Sequence, residues 1–442
     1  MSKKVIIFTY YWPPAGGVAV QRFLKFSKFL PEFGWEPIII TVDNGSYPYL
    51  DESLVKEISP SLRVYRTKTF EPFEFYNLLR GKKGKSLPVV SVGSHNKKSF
   101  FQTISEYVRA NFFVPDARKG WVSYAVKQAE EILKNEKVDA IITTGPPHSA
   151  HLIGLHLKEK FACPNDEVGR GVKWLADFRD PWTGIFYNNF LPRTESTKQK
   201  DKALETKVLQ TADMVTVISP GMKKEFESRA RKIEVVSNGY DEEDFSMSEV
   251  RSPKSEEFVI RYVGNLMSSQ NLEVLWKCIS ELSASDIGHR TSVKLEFIGR
   301  VDDAVKKSIS ENGLDSIVHY LDFVDHRKAI QLMQEASMLL FAIPDVKDNE
   351  VILTGKLFEY LASTSEMISF GPVNGNATEI LTATGRKKMI AYNNAEETQK
   401  QLLSALNYFE QTKTVFKYSD NKHQIYSRRN QTSILARHLD AL

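Results

Sequence analysis

The chain is short of the features that would make it a secreted, membrane-spanning or metal-dependent protein. It has two cysteines in 442 residues, Cys163 and Cys278, far apart and without CxxC spacing. That excludes a disulfide framework or a thiolate metal site and fits a reducing compartment. No stretch approaches the ~20 apolar residues of a spanning helix, and the apolar run Val5–Phe8 is too short for a signal peptide. The expected location is the cytoplasm, or the inner face of the membrane from that side. The formal net charge is only +4, so nothing in the average argues for nucleic acid as a partner. There is no DxD carboxylate cluster for Mg²⁺ or Mn²⁺, no HExxH, no Walker A sequence and no GxSxG. No metal and no cofactor is expected.

What the chain does have is globular composition, 42% hydrophobic and 26% charged, at a length that fits two domains. Short β-rich runs alternate with amphipathic stretches: VIIFTY (5–10), PIIITV (37–42), LRVYRT (62–67), DAIITTG (139–145), KWLADF (173–178), MVTVIS (214–219) and IEVVSN (233–238). Runs apolar on both faces and separated by helical patterns predict strands of a parallel sheet. The polar stretch 241–257 reads as a linker. A second series follows: FVIRYVG (258–264), VKLEFIG (293–299), VHYLDFV (318–324), SMLLFAI (337–343), MISFG (367–371) and KMIAY (388–392). The fold class is therefore α/β, with two Rossmann-like domains facing across a cleft.

The segment 66–120 breaks this rhythm with a basic loop (Arg80, Lys82, Lys83, Lys85) and an aromatic-rich stretch, 99–121. Either the aromatics cover the first core, or the segment makes peripheral contact with anionic lipid or a lipid-linked acceptor.

Several motifs stand where parallel strands end. After the first strand comes YWPPAGGV, in which Gly16 and Gly17 let backbone approach a ligand at a helix N-terminus, or simply make a tight turn. It is not GxGxxG, which disfavours a dehydrogenase. TTGPPHSAH places His148 at another strand end, able to accept a hydrogen bond or to hand on a proton near neutral pH. His151 and His156 read as structural. ADFRDPW offers Arg179, Asp180 and Trp182 to a polyhydroxylated ligand, unless the Arg–Asp pair only braces the loop. In the second series, TGKLFEYLA suggests Thr354 as a helix cap, Lys356 in the first turn for a diphosphate, and Glu359 for ribose hydroxyls. Gly264-Asn265 and Gly299-Arg300 end two further strands, and Asn376 reads as a cap after GPVNGN.

With these motifs, the sequence resembles bacterial glycosyltransferase family 4, in the branch associated with capsule, exopolysaccharide and lipopolysaccharide biosynthesis. YYWPPAGGVAVQR, TGPPHSAH, DFRDPW, SNGYDEEDF, YVGNL and TGKLFEYLA run in family order across nearly the whole chain. The resemblance implies a GT-B fold. It implies an N-terminal acceptor domain, 1–245, joined by a returning helix at 424–442, and a C-terminal donor domain, 256–415. It further implies a retaining transfer from a nucleotide-sugar, with a UDP- or GDP-sugar donor and a glycan or lipid-linked acceptor expected, and the missing carboxylate cluster makes that transfer metal-independent. On the residues themselves, the expected donor contacts are Gly16, Gly17, Gly264, Asn265, Arg300, Lys356 and Glu359, and the expected catalytic group is His148, Arg179 and Asp180. Two departures stand out. Many members carry an arginine where Asn265 stands and a lysine near Gln270, and the first of two family glutamates falls on Val351, with Glu350 one residue off register. Lys356 and Arg300 are the expected substitutes. The alternatives are a GT-B nucleotide-sugar epimerase and an inactive sugar- or nucleotide-binding scaffold.

Overall fold

The computed structural model describes residues 2–47, 50–70, 106–108, 110–161, 171–185, 188, 191–246, 257–283 and 292–442. The chain divides into two compact units, one formed by Met1–Ser237 with Arg428–Leu442, the other by Asn238–Ser427. The basic loop at residues 80–85 and Cys163 lie outside the described residues, as do 247–256 of the expected linker.

The first unit holds seven parallel strands: β1 (Lys3–Phe8), β2 (Trp35–Val42), β3 (Arg63–Thr67), β4 (Ala140–Gly145), β5 (Trp174–Phe178), β6 (Met214–Val217) and β7 (Ile233–Val235). Their order is β3-β2-β1-β4-β5-β6-β7. Helices α1 (Val18–Phe29), α2 (Val122–Asn135), α3 (Ala150–Lys160), α4 (Glu195–Thr211) and α5 (Pro220–Phe226) alternate with them. Every residue of β4 and β5 is buried, as is the run Val5–Phe8. That is why these runs lack the polar alternation of a half-solvated strand. Because the order reverses between β1 and β4, the loops leaving those two strands flank the crevice where such sheets bind ligands.

The second unit begins with the short α6 (Glu242–Ser246). It then holds β8 (Glu257–Val263), β9 (Ser292–Ile298), β10 (Val318–Leu321), β11 (Met338–Ala342) and β12 (Met367–Phe370), all parallel. The strand order is β10-β9-β8-β11-β12, so its reversal lies between β8 and β11. The helices here are α7 (Glu273–Ser283), α8 (Asp303–Glu311), α9 (His326–Glu335), α10 (Gly355–Ala362), α11 (Asn376–Ala383) and α12 (Ala395–Thr412). The expected strand at 388–392 is not formed. Only Ile390 bridges, to Phe370, and the run begins with the exposed Lys388. Likewise 318–324 shortens to four residues at the sheet edge, with Tyr320 and Leu321 exposed.

The last helix, α13 (Arg428–Asp440), packs in the first unit. Leu435, Ala436 and Leu439 join one core cluster with Val20, Phe23 and Leu24 of α1 and Val5 and Ile7 of β1. Asp440 accepts hydrogen bonds from the Trp35 indole at 3.2 Å and from Lys3 at 2.8 Å. Of the aromatic stretch 99–121, Trp121 is fully buried in the first core and donates to Thr67 Oγ1 at 2.8 Å, whereas Phe112 is exposed. Among the described residues no helix is long and apolar enough to cross a membrane.

Candidate active site

In the first unit the strand ends converge on a tied cluster of loops. After β1 the chain runs through Trp12, whose buried indole N–H has no hydrogen-bond partner among the described residues. It reaches Gly17, the N-cap of α1, at φ 100°, a conformation that only glycine adopts freely. Gly16 and Gly17 are both half-buried, and the first turn of α1 carries no side-chain cap.

Arg179, just past β5, is spent on this framework. Its Nε donates to Gly145 O at 3.2 Å, its Nη1 to Ala19 O at 3.0 Å, and its Nη2 to Pro146 O. The guanidinium thus pins the β4 loop to the start of α1, each of its three nitrogens bonded to a backbone carbonyl. Trp182 is also withdrawn. It is buried, its Nε1 donates to Asp201 at 2.8 Å, and its ring stacks on His148 at 5.2 Å and 6°. The sugar-stacking face expected of it is therefore occupied by an imidazole. Of the DFRDPW group, Asp180 alone keeps partial exposure as a carboxylate, and burial pushes its pKa up against the pull of Arg179.

His148 is 8% exposed, and neither ring nitrogen has a hydrogen-bond partner among the described residues. Burial lowers its pKa to about 3, with Arg179 adding to the fall and Glu205 opposing it. A pKa held this low by burial favours the neutral ring near neutral pH, in contrast to the proton transfer expected from the sequence. The C2–H resonance of His148, assigned in histidine-labelled protein by His148→Gln, is accordingly expected to stay fixed from pH 5 to 8. A titration midpoint near 6.5 would refute the assignment. His151, read as structural, stacks on Phe178 at 4.3 Å and shares a hydrogen bond with Thr143 through Nδ1 at 2.9 Å.

Beneath these loops lies a network that sequence reasoning missed. Arg22 of α1 and Asp177 of β5 form an ion pair at 2.8 Å with both side chains fully buried. Thr144 and Thr216 each donate to the same carboxylate at 2.9 Å. Arg22 in turn donates to Ser237 O at 2.9 Å and Val236 O at 2.8 Å. The pair joins α1, β4, β5, β6 and the chain leaving β7.

In the second unit, Gly264 and Gly299 lie side by side past the ends of β8 and β9, at φ 117° and 108°. A Cβ on Gly299 would come within 2.9 Å of Gly264 O, and one on Gly264 within 2.8 Å of Lys356 Nζ. The Lys356 ammonium therefore rests directly on the bare backbone at the end of the switch-point strand. It donates to Tyr262 Oη at 2.6 Å and sits 4.0 Å from that ring's centroid; the Tyr262 hydroxyl passes the bond on to Asn265 O at 2.7 Å. Burial brings the Lys356 pKa down to about 8, opposed by Glu359. Glu359 is half-buried one turn further along α10. Asn265 and Arg300 both expose their side chains, with Arg300 O accepting from Leu266 N at 2.9 Å. Gln270 is buried and committed, its amide bridging Ala342 O at 2.7 Å and Met267 N at 3.2 Å.

Neither expected cap residue makes a side-chain cap bond. Thr354 is the N-cap of α10 but makes no side-chain cap bond, and its hydroxyl is buried without a partner. Gly375 caps α11, while Asn376, its first residue, donates instead to Val351 O at 3.3 Å. Among the described residues no three His, Cys, Asp or Glu side chains are grouped as metal ligands.

The chain matches no protein-family model and no curated protein. Among solved structures it is similar to a sucrose-phosphate synthase from Thermosynechococcus elongatus, with a TM-score of 0.61 at 13% identity over 99% of both chains. It is similar to a trehalose-6-phosphate structure from E. coli bound with UDP-2-fluoro glucose, with a TM-score of 0.56 at 13% identity over 100% of this chain and 99% of that one. It is also similar to the lipopolysaccharide outer core galactosyltransferase WaaB, with a TM-score of 0.54 at 14% identity over 99% of this chain and 100% of that one. With its two all-parallel α/β sheets of seven and five strands, the chain has the fold of these GT-B glycosyltransferases.

Proposed function

We propose that the chain is a retaining, metal-independent glycosyltransferase that moves a sugar from a UDP- or GDP-sugar to a glycan or lipid-linked acceptor in cell-surface polysaccharide synthesis. The observation that carries this reading is the Lys356 ammonium seated on Gly264 at the β8/β11 switch point. Positive charge and exposed backbone meet there where a doubly wound sheet takes its ligand, and in the GT-B fold that ligand is a nucleoside diphosphate. In this reading Lys356 holds the diphosphate, Arg300 supplements it from the next strand end, and Glu359 accepts from ribose hydroxyls. Gly16 and Gly17 are assigned to donor binding and His148 to the donor sugar. Asp180 orients the acceptor hydroxyl, and Arg179 holds the loops in place.

The reaction proceeds by attack of the acceptor oxygen on the anomeric carbon as the carbon–oxygen bond to the phosphate breaks. The acceptor proton passes to the leaving phosphate oxygen, so no protein nucleophile and no imidazolium is needed. The donor is identified by thermal shift with UDP-, GDP-, ADP-, CMP- and dTDP-sugars, each at about 100 times its Kd. One of them is expected to raise the melting point as binding adds about 2.7 kcal/mol. Turnover with that donor is expected to survive EDTA. Activity abolished by EDTA, or no shift with any nucleotide-sugar, refutes the proposal; a changed donor sugar without any acceptor marks an epimerase instead.

A further inference from the structure

The second unit contains a pocket of about 260 Å³ that none of the donor residues lines. It lies at the opposite, N-terminal, end of the strands. Phe258 at its floor is the second residue of β8, whereas Gly264 follows the last, about 20 Å away along an extended strand. The walls are aromatic: Tyr408 of α12 meets Phe416 edge-on at 5.3 Å, and Phe416 meets Tyr418 edge-on at 5.0 Å. The Arg386 guanidinium, 3.7 Å from the Tyr418 ring centroid, holds that ring in place.

Among these rings sits a carboxylate. Glu366, immediately before β12, is 6% exposed and lines the pocket, its carboxylate hydrogen-bonded with the Tyr418 side chain. Lys387 forms an ion pair with Glu366 Oε1 at 3.0 Å. Aromatic faces beside a carboxylate acceptor and an ammonium donor suit one ligand class above others, a ring with apolar C–H faces and a rim of hydroxyls. The volume, just under the ~300 Å³ at which drug-sized sites begin, suits a single ring rather than a nucleotide.

We propose that this pocket is a monosaccharide-binding subsite, with a sugar hydroxyl donating to Glu366, another accepting from Lys387, and the pyranose face lying on Tyr408. Binding there is independent of sugar transfer; use of the pocket to hold a distant unit of a glycan acceptor rests on the glycosyltransferase reading.

The test is saturation-transfer difference NMR on the full chain with methyl β-D-glucopyranoside, methyl β-D-galactopyranoside and N-acetylglucosamine at millimolar concentration, without nucleotide. At least one is expected to give transfer that falls fivefold or more in Ser404→Trp, which fills the exposed mouth, and in Tyr408→Ala and Glu366→Gln, but is retained in Lys356→Ala. Should one variant fail to fold, the other two decide. The proposal is overturned by an absence of transfer to all three sugars, by transfer that the pocket variants leave unchanged, or by transfer lost only in Lys356→Ala, which would place the sugar at the donor site. Failure of the glycosyltransferase reading would leave this signal intact.

Discussion

Lys356→Ala is expected to lower kcat/KM for the nucleotide-sugar by on the order of tenfold to a thousandfold, the cost of removing one charge-assisted contact to a leaving diphosphate. The loss has a pH signature. The ammonium is needed, and burial brings its pKa to about 8, so the charged form prevails below that value and is lost above it. In the wild type, kcat/KM should fall about tenfold per pH unit above roughly pH 8. The alanine variant should show no such limb. Gly264→Ala should give a related defect. Its Cβ would stand 2.8 Å from Nζ at a φ of 117°, so the ammonium must move and the backbone is strained. Wild-type kinetics for Lys356→Ala with an identified donor would sink the assignment.

Asp177→Ala is expected to cost about 3–5 kcal/mol of stability, because it leaves the Arg22 guanidinium buried without its counter-charge. At about 2–4 °C per kcal/mol for a unit of this size, the melting transition should drop by roughly 10 °C. The Thr144 and Thr216 hydroxyls lose their acceptor at the same time, so strands β4, β5 and β6 loosen together. A melting point within a degree or two of wild type would show that water or a rearranged side chain neutralises the site.

These two residues mark what sequence patterning reveals and what it hides. The parallel sheets were legible because β1, β4, β5 and β11 are apolar on both faces, a signature that few other environments require. The 388–392 run misled for the complementary reason: Met389 and Ile390 are buried, but the run makes one bridge rather than a ladder. Lys356 and Glu359 were visible as a pair because one helix carries both. Arg22 was not. On a helix, an arginine reads as a solvated face, and its partner is 155 residues away, a contact that no spacing encodes. The caps failed for a local reason. Thr354 and Asn376 are correct cap types at helix starts, but packing of the adjacent loops sets which hydrogen bonds form: Gly375 stands too close to the Glu350 backbone for any side chain, and Asn376 turns to Val351.

The helix at 428–440 also orders events during synthesis. Leu435, Ala436 and Leu439 are part of the core that α1 and β1 share, and the ribosome makes them only after all of 238–427. The second unit, by contrast, is continuous in sequence. Nascent chains are therefore expected to complete their later-made unit first, with the apolar face of α1 waiting, uncovered, for a helix translated some 400 residues after it. A chaperone that shields Phe23 and Leu24 during that interval would act on the first-made part of the protein, not the last.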